Sequence, residues 1–253
     1  MTAQEFIFDS PLYTKIAISE DDQLLLDLSS YGLRIDGYNP YIGVDSTFLL
    51  VAGLDSQYLY QEDLRVIRFE CQRYKDYLYV YIHYNLNEGF IEKVGQYPSV
   101  ATIHIAQIKK YSKVLDKPYL KDLARAIGLA ANGIGTGSYV YLRRIFEHLI
   151  DEISRSAIES GEIDANLFNS CKMDKKMKML ENHLPDVMID NKLLYGVLSK
   201  GIHELSEEDC LKYFTVVRQI IELILDEWEY ERQKVQKKKD ARTKLSVIAS
   251  EIK

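Results

Sequence analysis

The sequence predicts an α+β protein: a small, largely antiparallel N-terminal α+β unit, then an all-α bundle that ends in a long C-terminal helix. Segments in which β-branched and aromatic side chains alternate every second residue are concentrated before Pro98. Segments whose apolar side chains recur every three or four residues follow Pro98. Neither glycine nor proline occurs after Gly201, so a single helix can continue towards the end of the chain.

Composition and charge limit the function. The chain has 253 residues, of which 47% are hydrophobic and 28% charged, and its formal net charge is −6. Proteins that hold duplex nucleic acid over a broad face are usually basic, because phosphate neutralisation supplies most of their affinity; we therefore expect any nucleic-acid contact to be local. No apolar stretch approaches the roughly 18 residues of a membrane span, and no secretory signal is evident. We expect a cytoplasmic protein without a membrane partner.

The predicted first domain, residues 1–98, contains the strands. A segment that ends at Pro98, FIEKVGQYP, is one of them. The other predicted strands are 45–53, 64–71 and 77–84. The alternation in YKDYLYVYIHY indicates that strand packing, rather than base stacking, explains the many tyrosines. Residues 22–30 predict a short helix. Loops are predicted after it at Gly32, Gly37 and Pro40.

Residues 99–228 predict a helical domain. The predicted helices before the last one are 99–115, 118–131, 138–160, 174–184 and 190–200. Ser99 is the expected cap of the first of them, and Gly201 is the expected stop of the fifth. In the third helix, apolar side chains recur with helical spacing at Leu142, Ile145, Leu149 and Ile153.

The last helix begins with an N-cap at Ser206 and three carboxylates in its first turn, where the helix dipole favours them. If it is unbroken, it reaches roughly 70 Å at 1.5 Å per residue. Its apolar stripe ends at Trp228, and the predicted third region, 229–253, is a charged helical extension. A second short stripe at Leu245, Ile248 and Ile252 leaves two alternatives, a solvated extension or a helix that pairs with another chain.

Three glycines, Gly133, Gly135 and Gly137, precede the third helix. A dinucleotide-binding fingerprint needs a third glycine where Ser138 stands, and it follows a strand rather than a helix. The amides at this helix start can hold an anion. A tight helix–helix corner that uses the freedom of glycine at positive φ explains the pattern without a ligand, and we favour it.

The helix after these glycines carries the first candidate site. Arg144 and His148 share one face at the i,i+4 spacing, whereas Arg143 and His148 are about 140° apart around the axis. This face is either a solvated surface with ordinary ion pairs or a polar site that faces a second helix.

The second candidate site is the predicted break between the last two helices, which contains His203 next to Lys200. A histidine can transfer a proton near pH 7, and a lysine or arginine can stabilise phosphate charge. The alternative is that His203 only hydrogen-bonds across the turn and locks the junction. The sequence contains no His-Glu-x-x-His motif, no carboxylate cluster with metal-ligand spacing and no cofactor motif, so we predict neither a metal nor a cofactor. The three widely spaced cysteines predict reduced thiols.

Three segments together resemble a family of uncharacterised bacterial proteins whose C-terminal helical domains are similar to the HEPN (higher eukaryotes and prokaryotes nucleotide-binding) superfamily. They are KVGQYPS (93–99), GIGTGSYVYLRRIFEHLIDE (133–152) and LYGVLSKGIHELSEEDCLKYF (194–214). The resemblance implies a helical bundle, dimerisation, and a role in antiphage defence or toxin–antitoxin systems. Many HEPN members are metal-independent ribonucleases with an Arg-x4–6-His motif on a late helix. Here no arginine lies five to seven positions before His203, and the motif spacing occurs at Arg143 and His148 on an earlier helix.

Two functional hypotheses follow. In the first, the chain is a defence-associated effector or accessory protein that binds or cleaves RNA. Its candidate catalytic residues are His203, Lys200, Arg144 and His148. His203 is then the acid–base group, and Lys200 or Arg144 stabilises the phosphate. In the second, the chain is a non-enzymatic, homo-oligomeric interaction module. Both predict a homodimer or higher oligomer, and a protein partner encoded nearby is a further expectation. The first also requires His203 to lie close to Arg144.

Overall fold

A computed structural model describes residues 1–19, 21–54 and 63–252, so parts of the predicted regions 1–98 and 229–253 lie outside the description. The described chain forms two compact units. The first unit consists of Met1–Lys109, Ala124–Ser138 and Ser206–Lys212. The second unit consists of Lys110–Leu123, Tyr139–Leu205 and Tyr213–Lys253. A strand-containing part followed by helices confirms the α+β class, while the boundaries at 98 and 228 stay predictions.

A six-stranded antiparallel sheet forms the centre of the first unit, in the order β1-β6-β5-β4-β3-β2. Its strands are β1 (Ile16–Ala17), β2 (Arg34–Asn39), β3 (Val44–Ala52), β4 (Asp63–Cys71), β5 (Tyr77–Asn85) and β6 (Phe90–Tyr97). The four predicted strands correspond to β3, β4, β5 and β6, and these predictions are confirmed. The helices α1 (Ala3–Phe8) and the predicted α2 (Gln23–Ser29) pack against the sheet.

The sequence prediction was wrong at β2, where Gly37 was expected to mark a loop. Gly37 instead pairs with Ser46 inside the sheet. The ring of Phe8 lies against its backbone, and a Cβ on residue 37 would overlap that ring. The glycine therefore allows a close approach between α1 and β2, which local sequence patterns do not reveal.

The core of the first unit lies on one face of the sheet, because alternate strand residues point to it. Side chains of α1, α2 and the strands bury there, among them Phe6, Leu24, Phe69, Val80 and Ile82. On the opposite face, Tyr77, Tyr81 and Tyr97 are exposed. These rings lie on strands but are exposed, so the expectation that sheet packing accounts for the tyrosines stays a prediction for them.

The helical segments after β6 are numbered in chain order. They are α3 (Val100–Ile108), a 3-10 helix (Lys109–Lys113), α4 (Lys117–Ala131), α5 (Gly135–Glu159), α6 (Ala165–Ser170), α7 (Met173–Met179), α8 (Asp186–Asp190), α9 (Leu194–His203) and α10 (Glu207–Glu251). Ser99 caps α3 as predicted, since its hydroxyl accepts a hydrogen bond from the amide of Thr102 at 3.1 Å. The unbroken last helix is also confirmed: α10 has 45 residues.

Several helix limits differ from the prediction. The α-helix predicted for 99–115 ends at Ile108, the one predicted for 174–184 ends at Met179, and the one predicted for 190–200 begins at Leu194 and ends at His203. Gly201 does not stop α9 but lies inside it, because the ring of Tyr139 occupies the space that a Cβ at this position would need. His203 is consequently the last residue of α9 rather than part of a break. The short helices α6 and α8 were not predicted, since five or six residues are too few for a periodic pattern.

Apolar faces of α5 and α10 form much of the core of the second unit. Leu142, Ile145 and Leu149 of α5 are buried as predicted, and so are Val217, Ile221 and Ile224 of α10. Tyr111, which is fully buried, donates a hydrogen bond from its hydroxyl to the carbonyl of Glu222 on α10 at 3.2 Å. No helix in the described part of the chain is long and apolar enough to span a bilayer.

One charged residue, Lys93 on β6, lies entirely inside the first unit. Its Nζ donates hydrogen bonds to the carbonyl of Ile7 at 2.9 Å and to Oε1 of Gln96 at 3.1 Å. Burial lowers the pKa of Lys93 to about 7, and the carboxylate of Asp9 offsets this only slightly. The amine is therefore much less basic in the folded chain than the ordinary 10.5.

Stability should rise with pH because of this lysine. Between pH 7 and about 9 the unfolded chain keeps the Lys93 proton and the folded chain does not, so raising the pH favours folding. The expected slope is about 1.4 kcal/mol per pH unit at most, measured as the free energy of urea unfolding. Lys93→Met should flatten this rise, whereas Lys121→Met, on the exposed surface, should keep it. An unchanged slope in Lys93→Met would contradict the assignment.

Candidate functional site

The glycine segment between α4 and α5 is a helix–helix corner, as favoured. Gly133 has φ of +78°, the left-handed conformation that glycine adopts without strain. Its amide donates to the carbonyl of Ala130, and the amide of Ile134 donates to the carbonyl of Leu129. These bonds close the C-terminus of α4 and reverse the chain into α5.

The amides at the start of α5 do bind an anion, but the anion belongs to the chain itself. The amides of Gly135 and Thr136 both donate hydrogen bonds to one carboxylate oxygen of Glu207, the latter at 2.9 Å. A Cβ at residue 135 would collide with the backbone of Glu207 and with Cys210, so only glycine permits this approach. The first turn of α10 therefore caps α5 within the first unit, and these amides already have a ligand.

His148 lies in a buried polar cluster of the second unit. Its side chain is 9% exposed and stacks on the ring of Tyr119, with centroids 3.6 Å apart and an interplanar angle of 7°. Its Nδ1 is 3.7 Å from Oε1 of Glu152, and its Nε2 is 4.0 Å from Oδ2 of Asp116. Burial lowers the pKa of His148, which the carboxylates of Glu152 and Asp116 offset in part. Burial therefore favours the neutral imidazole, which has a nitrogen lone pair available.

Arg143 and Arg144 of α5 each neutralise a carboxylate. Arg144 places Nη1 3.3 Å from Oδ2 of Asp122, a residue of α4 that is only 2% exposed. Arg143 donates from Nε to Oε1 of Glu147 at 2.9 Å, and from Nη2 to the hydroxyl of Tyr195 at 3.1 Å. Burial raises the pKa of that Tyr195 hydroxyl. The predicted polar face of α5 is thus engaged largely by groups of the same unit.

Within the described chain, the polar side chains at the end of α9 lack the kind of partners that the α5 arginines have. Lys200 and His203 are both exposed, and they lie three residues apart on the last turn. Neither side chain has a hydrogen bond, an ion pair or a ring contact with any residue that the structure describes. The amides of Glu204 and Leu205 donate to the carbonyl of Lys200, so backbone bonds close this turn without the imidazole.

The structure groups the four predicted site residues into two places. Arg144 and His148 lie one turn apart on α5, and Lys200 and His203 lie together on α9. Within the described residues, no hydrogen bond or ion pair joins His203 to Arg144 or His148. The proximity of His203 to Arg144 stays a prediction. Sequence reasoning missed Asp116, Tyr119, Asp122 and Tyr195, because none of them shares a helix with the histidine or arginine that it contacts.

Comparisons with protein-family models, with curated proteins and with solved structures find no match to this chain.

A charge-removing substitution tests the Glu207 cap. We expect Glu207→Gln to lower the free energy of unfolding by about 1 kcal/mol, because the amides of α5 lose a charged acceptor. Glu208→Gln is the matched control, since Glu208 is exposed in the same turn of α10 and feels the same helix dipole. Thermal and urea unfolding of both variants provide the measurement. If the free energy of unfolding falls equally in the two variants, the hydrogen bonds from Glu207 to the α5 amides contribute nothing beyond the interaction with the α10 helix dipole.

Proposed function

We propose that this chain is a defence-associated bacterial protein that binds or cleaves RNA, with a HEPN-like helical domain, acting in the cytoplasm as a homodimer or higher oligomer. One observation carries the RNA part: Lys200 and His203 form an exposed cation–imidazole pair on the last turn of α9 without a competing partner among the described residues. A site for a phosphodiester needs groups that a large polyanion can reach. The resemblance of segments 133–152 and 194–214 to HEPN-like proteins supports the same proposal.

The chemistry would be transfer of the phosphodiester to the neighbouring 2′-hydroxyl. His203 accepts the proton of the 2′-hydroxyl as its oxygen attacks phosphorus, and Lys200 stabilises the negative charge that develops on the phosphate. The bond from phosphorus to the 5′-oxygen of the next nucleotide breaks, and that oxygen takes up a proton. The products are a 2′,3′-cyclic phosphate and a free 5′-hydroxyl, and no metal takes part.

The α5 residues have secondary roles in this proposal. Arg144 has a side chain that is 55% exposed, so it can contact a phosphate while still compensating Asp122. His148 is too deeply buried to touch an RNA backbone. We therefore give His203, rather than His148, the acid–base role.

An RNA cleavage assay tests the catalytic proposal. Purified full-length protein is incubated with total RNA and with tRNA, and cyclic phosphate ends are measured. We expect His203→Ala to lose roughly 100-fold or more of the rate, because general acid–base groups contribute on that scale. Lys200→Ala should lose less and should also weaken RNA binding in a salt-dependent manner.

His183→Ala is the control, since His183 is another accessible histidine, 3.1 Å from Glu162 on the surface of the second unit. It should keep the wild-type rate. If the wild-type protein cleaves no RNA even with the products of neighbouring genes present, or if His203→Ala cleaves at an equal rate, the catalytic proposal is wrong. Fluorescence anisotropy with labelled RNA then decides whether binding remains.

A second candidate function, a non-enzymatic homo-oligomeric interaction module, is favoured by the outer face of α10. Val216, Leu223 and Tyr230 are more than half exposed, and they repeat every seven residues. Ile220, half-buried, lies between the first two. Apolar residues at such spacing form the seam between paired helices. The exposed sheet face with its tyrosines is the surface that we propose for a protein partner in this candidate.

Mass in solution tests the pairing of α10. We expect a dimer for the wild-type chain and a monomer for the double variant Val216→Asp with Leu223→Asp, because charges at the seam repel and desolvate poorly. The double variant Leu245→Asp with Ile248→Asp places the same charges on the exposed C-terminal stripe. If only the second variant becomes monomeric, the tail is the interface. A monomeric wild-type chain would exclude both the Val216–Leu223 seam and the C-terminal stripe as dimer interfaces.

A further inference from the structure

The cluster around His148 is not used by the proposed RNA chemistry. Asp116 precedes α4, while His148 and Glu152 lie one turn apart on α5. One ligand atom from each of these three residues lies within 4.8 Å of the other two. Imidazole nitrogen and carboxylate oxygen are both ligands of divalent transition metals. The three residues therefore have the composition of a metal site, although they are far from contiguous in sequence.

The buried polar atoms of the cluster lack ordinary partners. His148 is more than nine-tenths buried, and within the described chain neither of its ring nitrogens makes a hydrogen bond. Oε1 of Glu152 is also buried, and no hydrogen bond satisfies it. Buried polar atoms are nearly always satisfied, so the imidazole of His148, which makes no hydrogen bond and faces Oε1 of Glu152 at 3.7 Å, needs an explanation. A cation bound between them supplies one.

We propose that Asp116, His148 and Glu152 bind a divalent transition-metal ion of the zinc type, each through one ligand atom, with water completing the coordination. Ligand atoms of a tetrahedral zinc site are roughly 3.3 Å apart, given bonds of about 2.0–2.1 Å. The separations here are somewhat longer, so small side-chain rotations bring the ligands together. Asp116 is free to make most of this adjustment, since its side chain is 69% exposed.

Tyr119 and α5 provide the rigid part of the site. The helical spacing of His148 and Glu152 places their side chains on one face, as in metal sites built from i,i+4 pairs. The stacked ring of Tyr119 fixes the plane of the imidazole, and a fixed ligand orientation strengthens metal binding.

Arg155 competes with the metal. Its Nη2 is 2.6 Å from Oε1 of Glu152, in a contact that lacks hydrogen-bond geometry. The Arg155 side chain is 65% exposed, so it can swing into solvent when an ion binds. Removing this guanidinium should therefore increase metal affinity, an effect that a purely structural cluster does not predict.

Calorimetric titration of the full-length, tag-free, chelator-treated protein with Zn²⁺ tests the proposal. We expect one equivalent to bind, roughly tenfold or more weakening in Asp116→Asn, and tighter binding in Arg155→Gln. His148→Ala should abolish this binding, and His183→Ala, the matched histidine control, should leave it unchanged. Because Asp116 and Arg155 are exposed, their variants remain informative if His148→Ala does not fold.

Thermal unfolding gives an independent measurement, because an ion that binds only the folded chain raises the melting temperature. Zn²⁺ should raise the melting temperature of the wild-type chain and of His183→Ala, and it should raise that of Asp116→Asn less at the same Zn²⁺ concentration. The proposal is overturned if the wild-type protein binds no ion, or if Asp116→Asn binds Zn²⁺ as tightly as the wild type. Neither result depends on RNA cleavage, so the two proposals stand or fall separately.

Discussion

The buried carboxylate of Asp122 constrains the helical core of the second unit. A carboxylate that is only 2% exposed is strongly destabilising unless a cation compensates it, and the guanidinium of Arg144 does so at 3.3 Å. This pairing fixes how the start of α4 lies beside α5. Asp116 and Tyr119 belong to the same stretch of chain, and they consequently meet the next turn of α5 at His148. One electrostatic requirement thus positions both the arginine and the histidine.

The need to compensate carboxylates distinguishes charged side chains that stabilise the fold from charged side chains that remain available to bind a ligand. Arg143 and Arg144 have partners in their own unit, and Glu147 and Asp122 largely compensate their charge, while His148 is buried beside Glu152. Lys200 and His203 have no such partners among the described residues. A polar face on a helix is therefore a poor indicator of catalysis by itself, because neutralised arginines serve folding. Exposure without a competing carboxylate is the better criterion, and it moves the proposed acid–base role to the end of α9.

Sequence patterns predicted the elements that local periodicity determines. The four long strands, the caps at Ser99 and Ser206, and the stripes of α5 and α10 follow from alternation, helical spacing and N-cap chemistry. The failures have long-range causes. Gly37 suggests a loop, but it lies in a strand where the ring of Phe8 packs on its backbone. Gly201 suggests a helix stop, but it lies inside a helix where the ring of Tyr139 packs on its backbone. At the candidate site, the i,i+4 pairs on α5 were predictable. Asp116 and Tyr119 were not, since only the fold brings them to His148.

The acidic charge of the chain links the two functional proposals. With a net charge of −6, an RNA site made of Lys200 and His203 neutralises only one or two phosphates, and such a site binds weakly at physiological salt. In the proposed symmetric dimer along the outer face of α10, a second copy of the same pair would be present. Once RNA contacts one copy, its contact with the other is intramolecular, and the combined affinity exceeds that of either site. In the proposed function, oligomerisation therefore supports RNA binding rather than excluding it, because a single acidic protomer offers few cationic groups to the phosphates.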